Sequence, residues 1–214
     1  MSNDYDAYEP HEPIGPPLKV RGSLILHEDV CTNTVDILGH LSTRYNVATS
    51  KLKVSGDCSI EGYCQVSQVN NLGSLRIQSI QADHIQSSGY LSVAQEATTR
   101  SLNGEGAVQI NKLVAKESIE LRLGNRCTVK DMKSSGPITI KPSSMLLNIL
   151  MRPFHRLTCG RIKGTDITLY RTTAELVYGD NITIGVGCVI EEVHYSKSLT
   201  VDPKSQVNKA VLLS

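Results

Sequence analysis

The chain repeats one short pattern over more than half of its length, and this repeat limits the fold more than any other feature. Each copy alternates apolar and polar residues around a central glycine, as in Leu52–Cys64. The sequence intervals between successive marker glycines are nearly constant, at 17, 17, 17, 16, 17 and 18. The marker glycines are Gly22, Gly39, Gly56, Gly73, Gly89, Gly106 and Gly124. A fixed period of this length is typical of a solenoid, in which similar units stack along one axis.

Equivalent residues in the copies form apolar columns. The column four residues before the glycine is apolar from Leu18 to Leu102 and continues at Ile119, which makes seven members. At an apolar content of 40%, seven agreements have a chance of roughly 0.002. The columns two and four residues after the glycine are also apolar, apart from Thr43. We therefore predict a strand, a corner at a positive-φ glycine and a second strand in each coil. Since one coil cannot bury its own apolar row, the coils are expected to stack as a parallel β-helix.

A hexapeptide β-helix, the fold of many acyltransferases, is the main alternative all-β architecture. It requires apolar columns two, eight and fourteen residues after the glycine. The eighth column is only partly apolar, because it contains Val30, Val47 and Cys64 but also Gln81. The fourteenth column is polar throughout, with Asp36, Lys53, Asn70, Gln86 and Asn103. The sequence therefore disfavours the hexapeptide type.

The repeat resumes after Gly124 with altered spacing. Apolar pairs begin at Ile138, Ile167, Ile182 and Leu199, at sequence intervals of 29, 15 and 17. About eleven coils are expected in total. The predicted boundaries are a tail at 1–17, β-helix at 18–142 and 157–207, an insertion at 143–156 and an end segment at 208–214.

The predicted insertion is dense in apolar residues and interrupts the repeat. A serine at its start could cap a short helix, and Pro153 would end it. One interpretation is a helix or loop that covers one face of the solenoid. The other is a contact with a partner, a second protomer or a membrane surface. The candidate partner-contact residues are Leu146, Leu147, Leu150 and Phe154.

The segment at positions 1–17 carries four acidic side chains, four of the eight prolines and no Lys or Arg. Such a segment buries too little apolar surface to offset its ordering entropy, so we expect a disordered or extended tail. One interpretation is a tail that solubilises this end of the fold. The other is a docking peptide, which Tyr5 and Tyr8 suggest. The remaining chain is only slightly basic, which argues against nucleic acid as a partner.

Composition and motifs give no indication of an enzyme. The histidines His27, His40, His84, His155 and His194 do not recur at metal-ligand spacing, and no Cys-x-x-Cys is present. We therefore expect no catalytic residues, no metal and no cofactor. Cys58, Cys64 and Cys127 fall on apolar columns and are predicted to be core residues in a reducing cytoplasm. Rows of amides, including Asn70, Asn71, Gln78 and Gln81, are expected to form side-chain ladders rather than a ligand site. No apolar run approaches the roughly 20 residues of a membrane span.

Three stretches resemble the bactofilins, a family of polymer-forming bacterial cytoskeletal proteins. The first is Lys51–Val66, with its repeat-length coil; the others, Arg161–Leu169 and Val177–Tyr195, resemble the longer, Firmicute-type members. The resemblance implies a right-handed parallel β-helix with three faces that assembles end to end, without nucleotide, into non-polar filaments. It also implies a scaffold for cell shape, envelope synthesis or motility, with the membrane surface or envelope and motility proteins as partners. The implied location is the cytoplasm or the membrane-associated cytoskeleton.

The physics of a solenoid favours self-assembly independently of the resemblance. Its ends expose unpaired strand edges, and a monomeric solenoid needs polar caps. The sequence has no evident cap at either end of the repeat. The predicted polymerisation interface is therefore apolar and comprises Leu18, Val20, Leu24, Leu26, Val207, Val211, Leu212 and Leu213. Two alternatives remain: a monomeric or dimeric β-helical module that recruits a partner through the insertion and tail, and an acyltransferase or lyase.

Overall fold

The computed structural model describes residues 15–143 and 155–213, and all regular structure within these ranges is β-strand. Sixteen strands pair in parallel within one continuous sheet. The strands are β1 Leu18–Val20, β2 Ser23–Leu26, β3 Val30–Ile37, β4 His40–Thr43, β5 Val47–Val54, β6 Asp57–Asn71, β7 Ser74–Ser87, β8 Tyr90–Gly104, β9 Ala107–Leu123, β10 Cys127–Ser134, β11 Ile138–Pro142, β12 Leu157–Lys163, β13 Asp166–Leu169, β14 Thr172–Ile184, β15 Val189–Val201 and β16 Gln206–Leu212. This arrangement is a parallel β-solenoid, which confirms the predicted fold class.

Each coil pairs with the coils before and after it, so equivalent residues form columns along the rod. The column that begins at Leu18 has eleven members, in agreement with the predicted number of coils. They are Leu18, Val35, Leu52, Val69, Ile85, Leu102, Ile119, Ile138, Ile167, Ile182 and Leu199. At about 4.8 Å per coil, the stack is a rod of roughly 50 Å.

Six columns point inward and form the core. We name each by its first residue: the Leu18, Val20, Leu24, Leu26, Val30 and Thr32 columns. Inward residues alternate with outward ones, since Val35 and Ile37 are fully buried on either side of the half-exposed Asp36. The buried hydrophobic residues in the described ranges are aliphatic or sulfur-containing, without an aromatic side chain. Alternation of period two thus produces one continuous aliphatic core.

The marker glycines are needed for space and not for their dihedral angles. Among the described residues, only Arg171 and Gly187 have positive φ, so the prediction of positive-φ corners at the marker glycines is wrong. A Cβ atom at Gly56 would instead overlap the carbonyl oxygen of Gly39 in the preceding coil. The same overlap recurs at Gly39, Gly73, Gly89 and Gly106. Glycine therefore allows successive corners to approach closely.

The pairing and burial of the strands correct two details of the column analysis. The strand pairs contain irregularities after Ile60 and Ile77, so Ile80, and not Gln81, occupies the Val30 column. That column is consequently apolar in all eleven coils. The polar fourteenth column does point outward, but the next apolar column lies one residue earlier, at Val35 and Leu52. The polar residues of the fourteenth column therefore do not count against a six-residue repeat.

The stack continues across the predicted insertion. Ile138 pairs with Ile167, and Cys127 pairs with Leu157, so the ladder joins residues on the two sides of the predicted insertion. Leu146, Leu147, Leu150 and Phe154 fall outside the described residues. The last strand, β16, extends through Leu212, beyond the predicted boundary at residue 207.

Candidate functional site

The first coil forms one apolar end of the described stack. Among the described strands, β1 pairs only with β3, and β2 pairs only with β4. Leu18, Leu24 and Leu26 are half-buried and pack on the core, and Val20 is almost fully buried. Ile25, on the outward side of β2, is 60% exposed. All four residues predicted for this end therefore lie in inward columns, next to an unpaired strand edge.

Part of this end is covered by the last residues of the predicted tail. Thr32 donates a hydrogen bond from Oγ1 to the carbonyl oxygen of Pro16, at 2.6 Å. Gly15 lies against the carbonyl of Cys31. Residues 15–17 thus belong to the fold, in contrast to the predicted tail boundary at residue 17. Since Pro16 and Pro17 have no N–H group, this corner cannot donate backbone hydrogen bonds to another strand there.

The last coil forms the opposite end. Within the described ranges, β16 pairs only with β15. Val207 is half-buried and ends the Leu26 column, and Leu212 is 62% exposed and ends the Thr32 column. Val211 instead follows His194 in an outward column, while the N–H of Leu213 donates to the carbonyl of Tyr195 at 2.8 Å. The structure therefore places Val207 and Leu212, but not Val211, in the core columns.

The two ends have matching registers. The Leu18 column ends at Leu199, and the Leu26 column ends at Val207. The Val30 column ends at Ala210. An apolar residue thus stands at both ends of each of these columns, so a second copy placed on the end of the rod would extend them. Apolar surface removed from water in this way favours association.

Charged side chains attach the last coil to the one before it. Lys209 donates to Glu192 at 2.7 Å, and Asn208 donates to Glu191. His194 also contacts Glu192, at 2.7 Å. The hydrogen bond from Lys209, together with that from His194, holds the pKa of Glu192 below its ordinary value. Glu192 therefore stabilises the end coil in its ionised form.

The described residues contain no group of three or more His, Cys, Asp or Glu side chains suited to a metal ion. Cys58, Cys64 and Cys127 are buried in the core. Burial raises the pKa of the Cys64 thiol to about 12. Such a thiol remains protonated near neutral pH and is a poor nucleophile.

The predicted amide rows separate into two kinds of position. Gln81 lies outside and accepts a hydrogen bond from Tyr63 Oη at 2.7 Å. Asn71 is instead fully buried in the Val20 column and donates to Ser87 Oγ at 2.9 Å. Asn71 therefore belongs to the core, where its hydrogen bond to Ser87 joins neighbouring coils. Its acceptor atom, Oδ1, has no hydrogen-bond partner among the described residues.

A groove on the outer surface was not expected from the sequence. It has a volume of about 380 Å³ and crosses the sixth to ninth coils, where four cationic side chains outnumber one carboxylate. Arg161 binds that carboxylate, Asp131, through two hydrogen bonds. Lys133 and Lys163 are adjacent in register and form no ion pair within the described ranges. The insertion separates them in the sequence, so no fixed sequence period connects them.

The fold and these surfaces define a parallel β-solenoid with apolar residues at both ends of the described stack. No family model matches the chain, and no solved structure matches it. The chain is similar to an uncharacterized protein of Bacillus subtilis (strain 168), YhbE, with 38% identity over 69 residues. The match covers 32% of this chain and 29% of that protein. No helix in the described ranges is long and apolar enough to span a membrane.

Proposed function

We propose that the protein is a structural scaffold whose rods stack end to end into filaments. The observation that supports this proposal most strongly is the matching register of the two ends. The Leu18, Leu26 and Val30 columns each run from one apolar end residue to another. Stacking would extend the core by the same contacts that hold successive coils together. No nucleotide is needed, because the driving force is burial of surface that is already formed.

A junction of this kind would remove the half-buried side chains of Leu18, Leu24, Leu26 and Val207 from water, which favours association. Backbone hydrogen bonds between the facing edges add to the apolar contribution.

The resemblance to bactofilins agrees with this function. It supports a cytoskeletal role in cell shape, envelope synthesis or motility, in the cytoplasm or along the membrane. A monomeric or dimeric binding module that recruits a partner through the insertion is the alternative function. The two differ in the oligomeric state of the purified protein.

Negative-stain microscopy and sedimentation velocity test the proposal. The variants Leu26→Lys and Leu212→Lys place a charge at opposite ends of the rod, within inward columns. We expect each to abolish filaments, because a junction would bury an unpaired ammonium group. The matched controls are Ile25→Lys and Val211→Lys, which add the same charge to outward positions of the same strands.

The controls should polymerise as the unaltered protein does. Circular dichroism shows whether each variant retains its β-structure. A folded protein that stays monomeric at high concentration contradicts the proposal. Filaments of the Leu26→Lys and Leu212→Lys variants would contradict the assignment of the ends.

A further inference from the structure

We propose that the acidic segment at residues 1–14 docks in the basic groove of its own chain. The inference does not depend on filament formation, because both surfaces belong to one protomer. The segment contains Asp4, Asp6, Glu9 and Glu12 and no Lys or Arg. The groove presents Lys133 and Lys163 without carboxylate partners among the described residues. Charge complementarity therefore identifies the segment as an occupant.

The fold places Gly15, the residue that follows this segment, on the correct face. A Cβ atom at Gly15 would lie 3.0 Å from the carbonyl oxygen of Cys31. Cys31 is the first residue of the outward column that contains Lys133 and Lys163. The intervening members are uncharged: Ala48, Gln65, Gln81, Thr98 and Val114. A segment that follows this column therefore meets no carboxylate within it before it reaches the groove.

The segment is long enough to reach the groove. Gly15 lies one level before the first coil, and Lys133 is in the seventh coil, so about 34 Å separate them at about 4.8 Å per coil. A proline-rich chain extends about 3.1 Å per residue, so the stretch from Gly15 back to Asp4 also spans about 34 Å. Asp4 can therefore reach Lys133, and Asp6 can reach the preceding coil, which carries Lys112.

The groove also suits one tyrosine of the segment. Its wall in the sixth coil includes the half-buried Val114. Tyr5, ten residues before Gly15, spans about 31 Å at the same rise per residue and can pack on this side chain. Attachment to the same chain gives the segment a high effective concentration that a free acidic peptide lacks.

Zero-length carbodiimide cross-linking of the full chain tests the proposal directly. In dilute solution, we expect cross-links from Asp4 or Asp6 to Lys112 or Lys133, identified by mass spectrometry. Their yield should not change on further dilution, because the contact is intramolecular. A yield that falls with dilution would assign the segment to a neighbouring copy and overturn docking within one chain.

Lysine acetylation provides a second measurement. The variant Asp4→Asn/Asp6→Asn/Glu9→Gln/Glu12→Gln removes the charges and leaves the solenoid unaltered. We expect the labelling rate of Lys133 to rise about fivefold, as the loss of a few exposed ion pairs implies. Lys53, an exposed lysine on another outward column, is the internal control. Equal labelling of Lys133 in the two proteins would show that the groove is unoccupied.

Discussion

The first six coils and the last four share the same core columns but differ in the residues that form their corners. From Gly22 to Gly106, the corners are a stack of glycines at nearly constant sequence intervals. Beyond the insertion, the corners include Arg171 and Gly187 with φ of 43° and 75°. The Leu18 column nevertheless continues without interruption to Leu199. The core columns are therefore the constant element of the fold, while the corners vary.

The Val20 column shows a second difference between the two regions. It is polar or small in the middle of the regular region, where Asn71, Ser87 and Gly104 follow one another. It is apolar again from Leu121 to Ile140. Asn71 donates to Ser87 Oγ and to the carbonyl of Tyr90, so the buried amide connects neighbouring coils. Such a pair can fix the register of coils that the apolar columns alone leave nearly equivalent.

The largest expected effect concerns the glycine corners. Gly56→Ala should cost more than about 3 kcal/mol of unfolding free energy, because its Cβ would overlap the Gly39 carbonyl. Gly124→Ala, in the seventh coil between the two regions, should cost less, since the nearest atom is the Glu105 carbonyl at 3.1 Å. Gly22→Ala has no neighbour within 4 Å and serves as the control. Urea denaturation measures all three, and equal effects would show that the corners do not limit the approach of the coils.

A smaller effect is expected for the buried amide. Asn71→Val should destabilise the protein by about 1–2 kcal/mol, because Ser87 Oγ loses its partner in the core. Adding Ser87→Ala should recover part of this loss, since both polar groups are then removed. A double-mutant cycle measured by urea denaturation gives the coupling between the two positions. Additive effects would mean that the hydrogen bond makes no net contribution.

The smallest effect concerns acid stability at the end coil. Because the pKa of Glu192 lies below its ordinary value of 4.5, its contribution is complete above that pH. The contribution is lost as the pH falls through the lower pKa of the folded state. Amide protection of β16, measured by hydrogen exchange and corrected for intrinsic rates, should therefore decrease as the pH falls below 4.5.

Glu192→Gln should remove much of this pH dependence. Glu120 is the internal comparison, because Lys141 and Arg122 also hold its pKa below the ordinary value. It lies in a coil that is paired on both sides, so its strand should remain protected under the same conditions. If β16 of the Glu192→Gln variant loses as much amide protection at acid pH as it does in the unaltered protein, other carboxylates cause that loss.

The sequence by itself determined the fold class, the number of coils and most of the core columns. Period-two alternation and a fixed repeat are local properties, so they can be read without knowing what any coil touches. The end residues Leu18, Val20, Leu24 and Leu26 were predicted for the same reason. The outward orientation of Val211 was not evident from the sequence, because one residue of register moves a side chain to the other face.

Only the tertiary structure decided the remaining features. It showed that the glycines are required by the carbonyls of the preceding coil, a contact between residues that are distant in the sequence. It also brought Lys133 and Lys163 together across the insertion and placed Asn71 in the core. These features depend on register shifts and on an insertion of irregular length. Register is set by the packing of whole coils against one another, so no local pattern records it.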